Sequence, residues 1–137
     1  MPDGPHEPAR PSKPRGRVLV AEDEPHIRRV LLTLLESAAF DTDVVSDGAA
    51  ALNLLLGDTR YDLVLLDLMM PRASGLEVLE RVKDLNHRKG TPMVVLTAKG
   101  QDADRNRAFE LGASDFVTKP FSPKKLLARI DELLEQT

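Results

Sequence analysis

Short apolar runs alternate along this chain with longer stretches of helical spacing, and that alternation restricts the fold more than any other feature. The runs cover residues 18–21, 44–45, 63–66, 93–96 and 116–117. Val-Leu-Val-Ala, Leu-Val-Leu-Leu and Met-Val-Val-Leu are continuous, as strands buried on both faces are. Between the runs, apolar residues recur three and four apart, which places them on one face of a helix. Ile27, Val30, Leu31, Leu34 and Leu35 form the first face, and Ala50, Ala51, Leu54 and Leu55 the second. Leu76, Leu79 and Val82 form a third, Ala108 and Leu111 a short fourth, and Leu126, Leu127, Ile130, Leu133 and Leu134 a strong fifth. Pro25 suits a first helical turn, Asp47 an N-cap, and Ser122-Pro123 a cap followed by an N1 proline. Gly57, Gly90 and Gly112 fall where helices are expected to stop. The pattern is (βα)5, which right-handed crossovers convert into a parallel sheet covered by helices on both faces.

A chain of 137 residues accommodates one such domain, expected over residues 16–137. Residues 1–15, MPDGPHEPARPSKPR, read as a disordered Pro/Arg-rich leader, because they offer too little apolar surface to offset the entropy of ordering them. The net charge of −3 argues against binding a nucleic-acid backbone, which calls for a basic surplus. The absence of cysteine excludes disulfides and thiolate metal sites. No apolar run approaches the roughly 20 residues of a membrane span, and no secretory signal opens the chain. A cytoplasmic location with no membrane partner is the expectation.

Polar residues follow the strands in a pattern that burial does not require. Glu22-Asp23-Glu24 follows the first strand, Asp67 the third, Thr97 the fourth and Lys119-Pro120 the fifth. Open α/β sheets bind ligands beyond the carboxyl ends of their strands, where the strand order reverses. In the common flavodoxin-like order 2-1-3-4-5 that point lies between strands one and three. Glu22, Asp23 and Asp67 are therefore expected side by side, with Thr97 and Lys119 reaching in from the far side. Three carboxylates in one pocket repel one another, and a hard divalent cation relieves them; Mg²⁺, with Mn²⁺ as substitute, suits one or two carboxylates plus water and phosphate oxygens. A carboxylate neutralised in this way can attack a phosphoryl group and form an acyl phosphate. Lys119 and Thr97 are the cation and hydroxyl that the equatorial oxygens would need. Asp67 is the expected nucleophile.

The segments VLVAEDEP, LVLLDLMMPRASG, VVLTAK and DFVTKPF resemble the receiver domains of two-component response regulators, the fold of the bacterial chemotaxis response regulator. The resemblance runs from about Arg17 to Glu135. It implies that Asp67 is the phosphoacceptor and that Asp23 and Asp67 bind Mg²⁺ directly, with the backbone carbonyl of Met69 as a further ligand. Glu22, where many relatives have aspartate, would act through water. Thr97 would bond a phosphoryl oxygen, Lys119 would pair with it, and Phe116 would be the aromatic switch. Pro71 and Gly75 match the loop after the phosphorylation site. The resemblance also implies a phosphohistidine donor on a sensor histidine kinase or phosphotransfer protein. That donor would dock on His26, Ile27, Arg28 and Leu31 together with Pro120 and Phe121. The output would pass through the face made by the fourth helix, fifth strand and fifth helix to an unknown downstream protein.

Taken singly, several of these residues have plainer readings. Phe116 alone reads as core, Thr97 as an N-cap, Glu24 as a solvated charge and His26 as an exposed helix residue. A phosphatase of the haloacid dehalogenase type also uses a strand-end aspartate, but it resembles Asp-x-Asp, and this chain has Met69 at the second acid. The chain as given carries no DNA-reading element, so a fragment of a DNA-binding response regulator is the alternative reading. In the winged-helix branch of the family, ion pairs interlock a dimer through the output face. Asp115 and Arg129 keep opposite charges there, whereas Arg105 would face Lys125. That like-charge contact disfavours the dimer, so a monomer or weak homodimer is expected.

Overall fold

A computed structural model describes residues 13–98 and 102–136. The elements run β1 Arg17–Ala21, α1 Pro25–Ser37, β2 Asp41–Val45, α2 Gly48–Leu56, β3 Leu63–Asp67, α3 Gly75–Val82, β4 Met93–Thr97, α4 Asp102–Glu110, β5 Asp115–Thr118 and α5 Pro123–Glu135. All strand pairs are parallel, and the order across the sheet is β2-β1-β3-β4-β5. This is the doubly wound architecture expected.

Each central strand feeds two cores in strict alternation, because successive side chains point to opposite faces. Val18, Val20, Leu63, Leu65, Val94 and Leu96 face one side, where Leu31 and Leu35 of α1 and Leu126, Ile130 and Leu133 of α5 cover them. Leu19, Ala21, Val64, Leu66, Met93 and Val95 face the other, against Ala51 and Leu55 of α2, Val78, Leu79 and Val82 of α3, and Ala108 and Leu111 of α4. Burying a Val, Leu or Ile side chain contributes about 1.5–3 kcal/mol, so the two layers hold the central strands firmly. The outer strands are only half-buried. That explains why their apolar runs were short and why β2 begins three residues before Val44.

The helix starts follow the expected chemistry. Asp47 accepts from Ala50 N–H, and Ser122 from Lys125 N–H ahead of Pro123. Glu24 is exposed, as expected of a solvated charge, and it also caps α1 by accepting from the N–H groups of His26 and Ile27. Ser74 and Glu77 form a reciprocal capping box on α3. Gly57 ends α2, and Gly112 follows α4 with φ +102°. Gly90 does not end α3, which stops at Val82; a short 3-10 turn, Asn86–Arg88, intervenes, and Gly90 with φ +88° follows that turn.

Of the expected leader, residues 1–12 lie outside the described residues. Arg15, at its end, donates to Ala38 O, pairs with Asp131 on α5 and stacks over the Phe40 ring. Among the described residues, no helix is long and apolar enough to cross a membrane.

Candidate functional site

Strand register brings the polar residues together in steps. Ala21 pairs with Leu66, so Glu22 and Asp67 occupy corresponding places on adjacent strands. Asp67 pairs with Leu96, and Thr97 with Thr118, so Thr97 and Lys119 each lie one position further on the next strand. Lys119 N–H donates to Thr97 O at 2.7 Å, which ties the end of β5 to that of β4. Residues remote in sequence thus share the carboxyl rim of the sheet.

Glu22, Asp23 and Asp67 present carboxylate oxygens within 4.8 Å of one another. Glu22 and Asp67 are buried and Asp23 is exposed. The ammonium of Lys119 bridges the two buried carboxylates, at 2.7 Å from Glu22 Oε1 and 3.1 Å from Asp67 Oδ2. Asp67 Oδ1 accepts from Met69 N–H at 3.2 Å. Glu22 Oε2 accepts from Glu24 N–H at 3.0 Å. Asp23, Glu24, Pro25, Asp67, Met69, Ala98 and Lys119 line an open cleft of about 460 Å³ above this cluster.

The electrostatics leave room for a cation. Burial, aided by a hydrogen bond with Asp67, pushes the Glu22 carboxyl from 4.5 up to about 7, against the opposing pull of Lys119. Burial alone would lower Lys119, but its contacts with Glu22 and Asp67 outweigh that and raise it. Lys119 reaches two of the three carboxylates, and the surplus negative charge with an oxygen-only donor set suits a small hard divalent ion. The residues present therefore fit the Mg²⁺ or Mn²⁺ expected at Glu22, Asp23, Asp67 and the Met69 carbonyl.

The two residues expected to act as a switch lie on neighbouring strands, β4 and β5. Thr97 is fully buried at the end of β4, with its hydroxyl 3.4 Å from Ala98 O. Phe116 pairs in register with Val95, two positions below Thr97, and packs at the margin of the α2-α3-α4 core. The guanidinium of Arg105 lies 5.7 Å from its ring centre, and the Phe109 ring 6.4 Å away. Lys99 and Gly100, which would continue this loop, lie outside the described residues. Thr97 is not an N-cap; it closes the strand.

The residues expected to dock a partner divide by exposure. His26 and Pro120 are exposed, and Ile27, Arg28 and Phe121 are half-buried at the rim. Leu31 is fully buried against the sheet and offers no surface to a partner; its helical position serves packing. Arg28 donates to the carbonyl oxygens of Glu22 and Asp23 at 3.2 and 3.0 Å, so it braces the acidic turn. Sequence spacing gave no sign of that contact, which depends on how α1 leaves the strand. The Lys119–Pro120 peptide is cis.

Comparison with known proteins agrees with this architecture. The family model of the response regulator receiver domain matches residues 18–131. The transcriptional regulatory protein ResD of Bacillus subtilis is 41% identical over 120 residues, covering 88% of this chain and 48% of ResD. The transcriptional regulatory protein SrrA of Staphylococcus aureus is 38% identical over the same shares. This chain thus spans about half the length of these relatives. Among solved structures, the receiver domain of Francisella response regulator 1452 superposes with a TM-score of 0.80 at 32% identity, covering 89% of this chain and 98% of that one. The chemotaxis response regulator CheY4 of Vibrio cholerae gives 0.79 at 27% identity, over 85% and 97%. From its sequence, its strand order and the acidic rim of its sheet, the chain belongs to the response regulator receiver domain family of two-component signalling proteins.

Proposed function

We propose that this receiver accepts a phosphoryl group on Asp67 and thereby switches the surface formed by α4, β5 and α5. The observation that carries the proposal is the bridging of Glu22 and Asp67 by Lys119 within a triad of carboxylates. Asp23, Asp67 and the Met69 carbonyl would hold Mg²⁺ or Mn²⁺, with Glu22 acting through water. Bound there, the ion would supply positive charge against the phosphoryl oxygens.

Asp67 stands at the end of a fully buried strand, so its carboxylate is held in one place. An Asp67 oxygen attacks phosphorus, a new O–P bond forms, and the P–N bond of a phosphohistidine donor breaks, its electron pair returning to the imidazole. Lys119, released from Asp67 Oδ2, pairs with a phosphoryl oxygen, and the Thr97 hydroxyl donates to another. The contacts Thr97 makes with the phosphoryl group favour the state in which it and Phe116 have moved inward. His26, Ile27, Arg28, Pro120 and Phe121 form the rim on which a sensor histidine kinase or phosphotransfer protein would dock.

Incubation with Mg²⁺ and acetyl phosphate, followed by intact mass measurement, tests this reading. The mass should rise by one phosphoryl group, and Asp67→Asn should abolish the gain. A stable adduct on Asp67→Asn would assign the nucleophile elsewhere. A second reading, that the chain is the receiver portion of a DNA-binding regulator, draws on ResD and SrrA, both transcriptional regulatory proteins of about twice this length.

A further inference from the structure

The loop between β3 and α3, residues 68–74, carries Met69 and directly follows Asp67. It is held at both ends by glycines whose missing side chains are structural necessities. At Gly75, a Cβ would lie 2.5 Å from Asp67 O and 2.9 Å from Leu68 Cα. That contact closes the loop on its own strand, and Gly75 N–H donates to Leu68 O at 2.9 Å.

Gly48 does something different, because it belongs to another element. It is the first residue of α2, it is buried, and a Cβ there would lie 1.9 Å from Ala73 O and 2.6 Å from Ala73 C. Both are backbone atoms, so no rotamer change could absorb the collision. Gly48 N–H also donates to Pro71 O at 3.3 Å, and Asp47 lies 3.9 Å from the Arg72 guanidinium. Arg72 adopts φ +70°, a left-handed conformation that costs a non-glycine residue energy unless its surroundings impose it. Three consecutive loop residues therefore rest against the start of α2.

We infer that Gly48 is a positioning residue for the phosphoacceptor loop: the start of α2 serves as a stop that fixes the path of residues 71–73, and through them the Met69 amide and carbonyl next to Asp67. This rests on the phosphoacceptor reading above. A side chain at position 48 must push the loop outward, since α2 itself is anchored by Ala51 and Leu55 in the core. Displacing a group that orients a metal ligand typically costs 10–100-fold in metal affinity.

The test compares Gly48→Ala with Gly57→Ala at the opposite end of the same helix, where a Cβ would make only an ordinary 3.4 Å contact with Leu54 O. Mg²⁺ alone is titrated into each folded, metal-free protein by calorimetry, and amide spectra are recorded before the titration. Gly48→Ala should shift the amides of residues 68–74 and weaken Mg²⁺ binding about 10-fold, with slower phosphorylation by acetyl phosphate in proportion. Gly57→Ala should leave both unchanged. Equal losses in the two variants, or wild-type affinity in Gly48→Ala, would overturn the inference. If Gly48→Ala does not fold, Ala73→Gly, which removes the side-chain atom nearest Gly48 and frees the loop backbone at that point, decides: weaker Mg²⁺ binding supports the stop, and wild-type binding removes it. A wild-type protein that binds no Mg²⁺ would defeat the phosphoacceptor reading instead, and the metal-free spectra would still decide whether Gly48 sets the loop.

Discussion

Lys119 Nζ lies 2.7 Å from Oε1 of the fully buried Glu22, and this pair, more than any other, organises the acidic rim. The longer glutamate reaches the ammonium that also contacts Asp67 at 3.1 Å. One cation thereby holds carboxylates from two strands in register, and two consequences of that pairing are measurable.

Removing the cation should destabilise the metal-free protein. A buried ion pair that loses one partner leaves an uncompensated charge, a loss moderated here because Lys119 is 22% exposed and Glu22 can take up a proton. Lys119→Met should cost about 1–3 kcal/mol in urea denaturation at pH 8, and adding Glu22→Gln should recover most of it. A double variant no more stable than Lys119→Met would show that the pair does not couple.

Stability without divalent ion should depend on pH through Glu22. The group titrates near 4.5 in an unfolded chain and at about 7 when folded, because burial and Asp67 disfavour its charge. Between those values the folded state holds a proton that the unfolded state has lost. Its stabilising contribution is thus complete below about 4.5 and lost as pH rises through about 7. Thermal midpoints of the metal-free wild type should fall across that window, and Glu22→Gln should flatten the fall. An identical profile in the variant would place the titration elsewhere.

Arg88 should matter to the fold although it is far from the rim. It is 5% exposed, stacks on Tyr61, and donates to the carbonyl oxygens of Leu54 and Leu55 in the last turn of α2 and of Gly57 and Thr59 just beyond it. Arg88→Ala strands several of these acceptors and should cost about 2–4 kcal/mol. Lysine lacks the planar fork, so Arg88→Lys should restore little. Chemical denaturation checks both, and a loss below about 0.5 kcal/mol for alanine would mean that water replaces the guanidinium.

Phosphorylation at Asp67 should not drive a tight dimer through α4, β5 and α5. Asp115 and Arg129 already pair within the chain at 2.6 Å, Arg105 lies over Phe116, and Lys125 is exposed with like charge to Arg105. Sedimentation of the phosphorylated protein at micromolar concentration should give the monomer mass, and Lys125→Glu should favour association. A doubled mass that Lys125→Glu leaves unchanged would assign the contact to another face.

The fold was largely legible because its signals are local. The continuous runs of β1, β3 and β4 and the stripe from Leu126 to Leu134 state their period directly, and Asp47 and Ser122 announce their helices through side-chain chemistry that acts within three residues. The rim was legible for a related reason: in a parallel sheet, residues following successive strands reach one edge, so Asp67 and Lys119 could be brought together by topology. The edge strands were harder, since β2 has only two apolar residues in its run and leans on Arg17 for pairing with Asp41 and Asp43.

Other features were invisible until the chain was folded. Arg88 sits in a polar stretch that reads as surface, and only the docking of that turn against the end of α2 buries it. Leu31 looks as available as Ile27 until the sheet covers it. The bracing of the acidic turn by Arg28, and the stop that Gly48 sets for Ala73, depend on how one element leaves the sheet relative to another. Periodicity and capping act within a few residues and are written in the chain; which cation meets which carboxylate, across 52 positions from Asp67 to Lys119, is decided by strand register and helix packing.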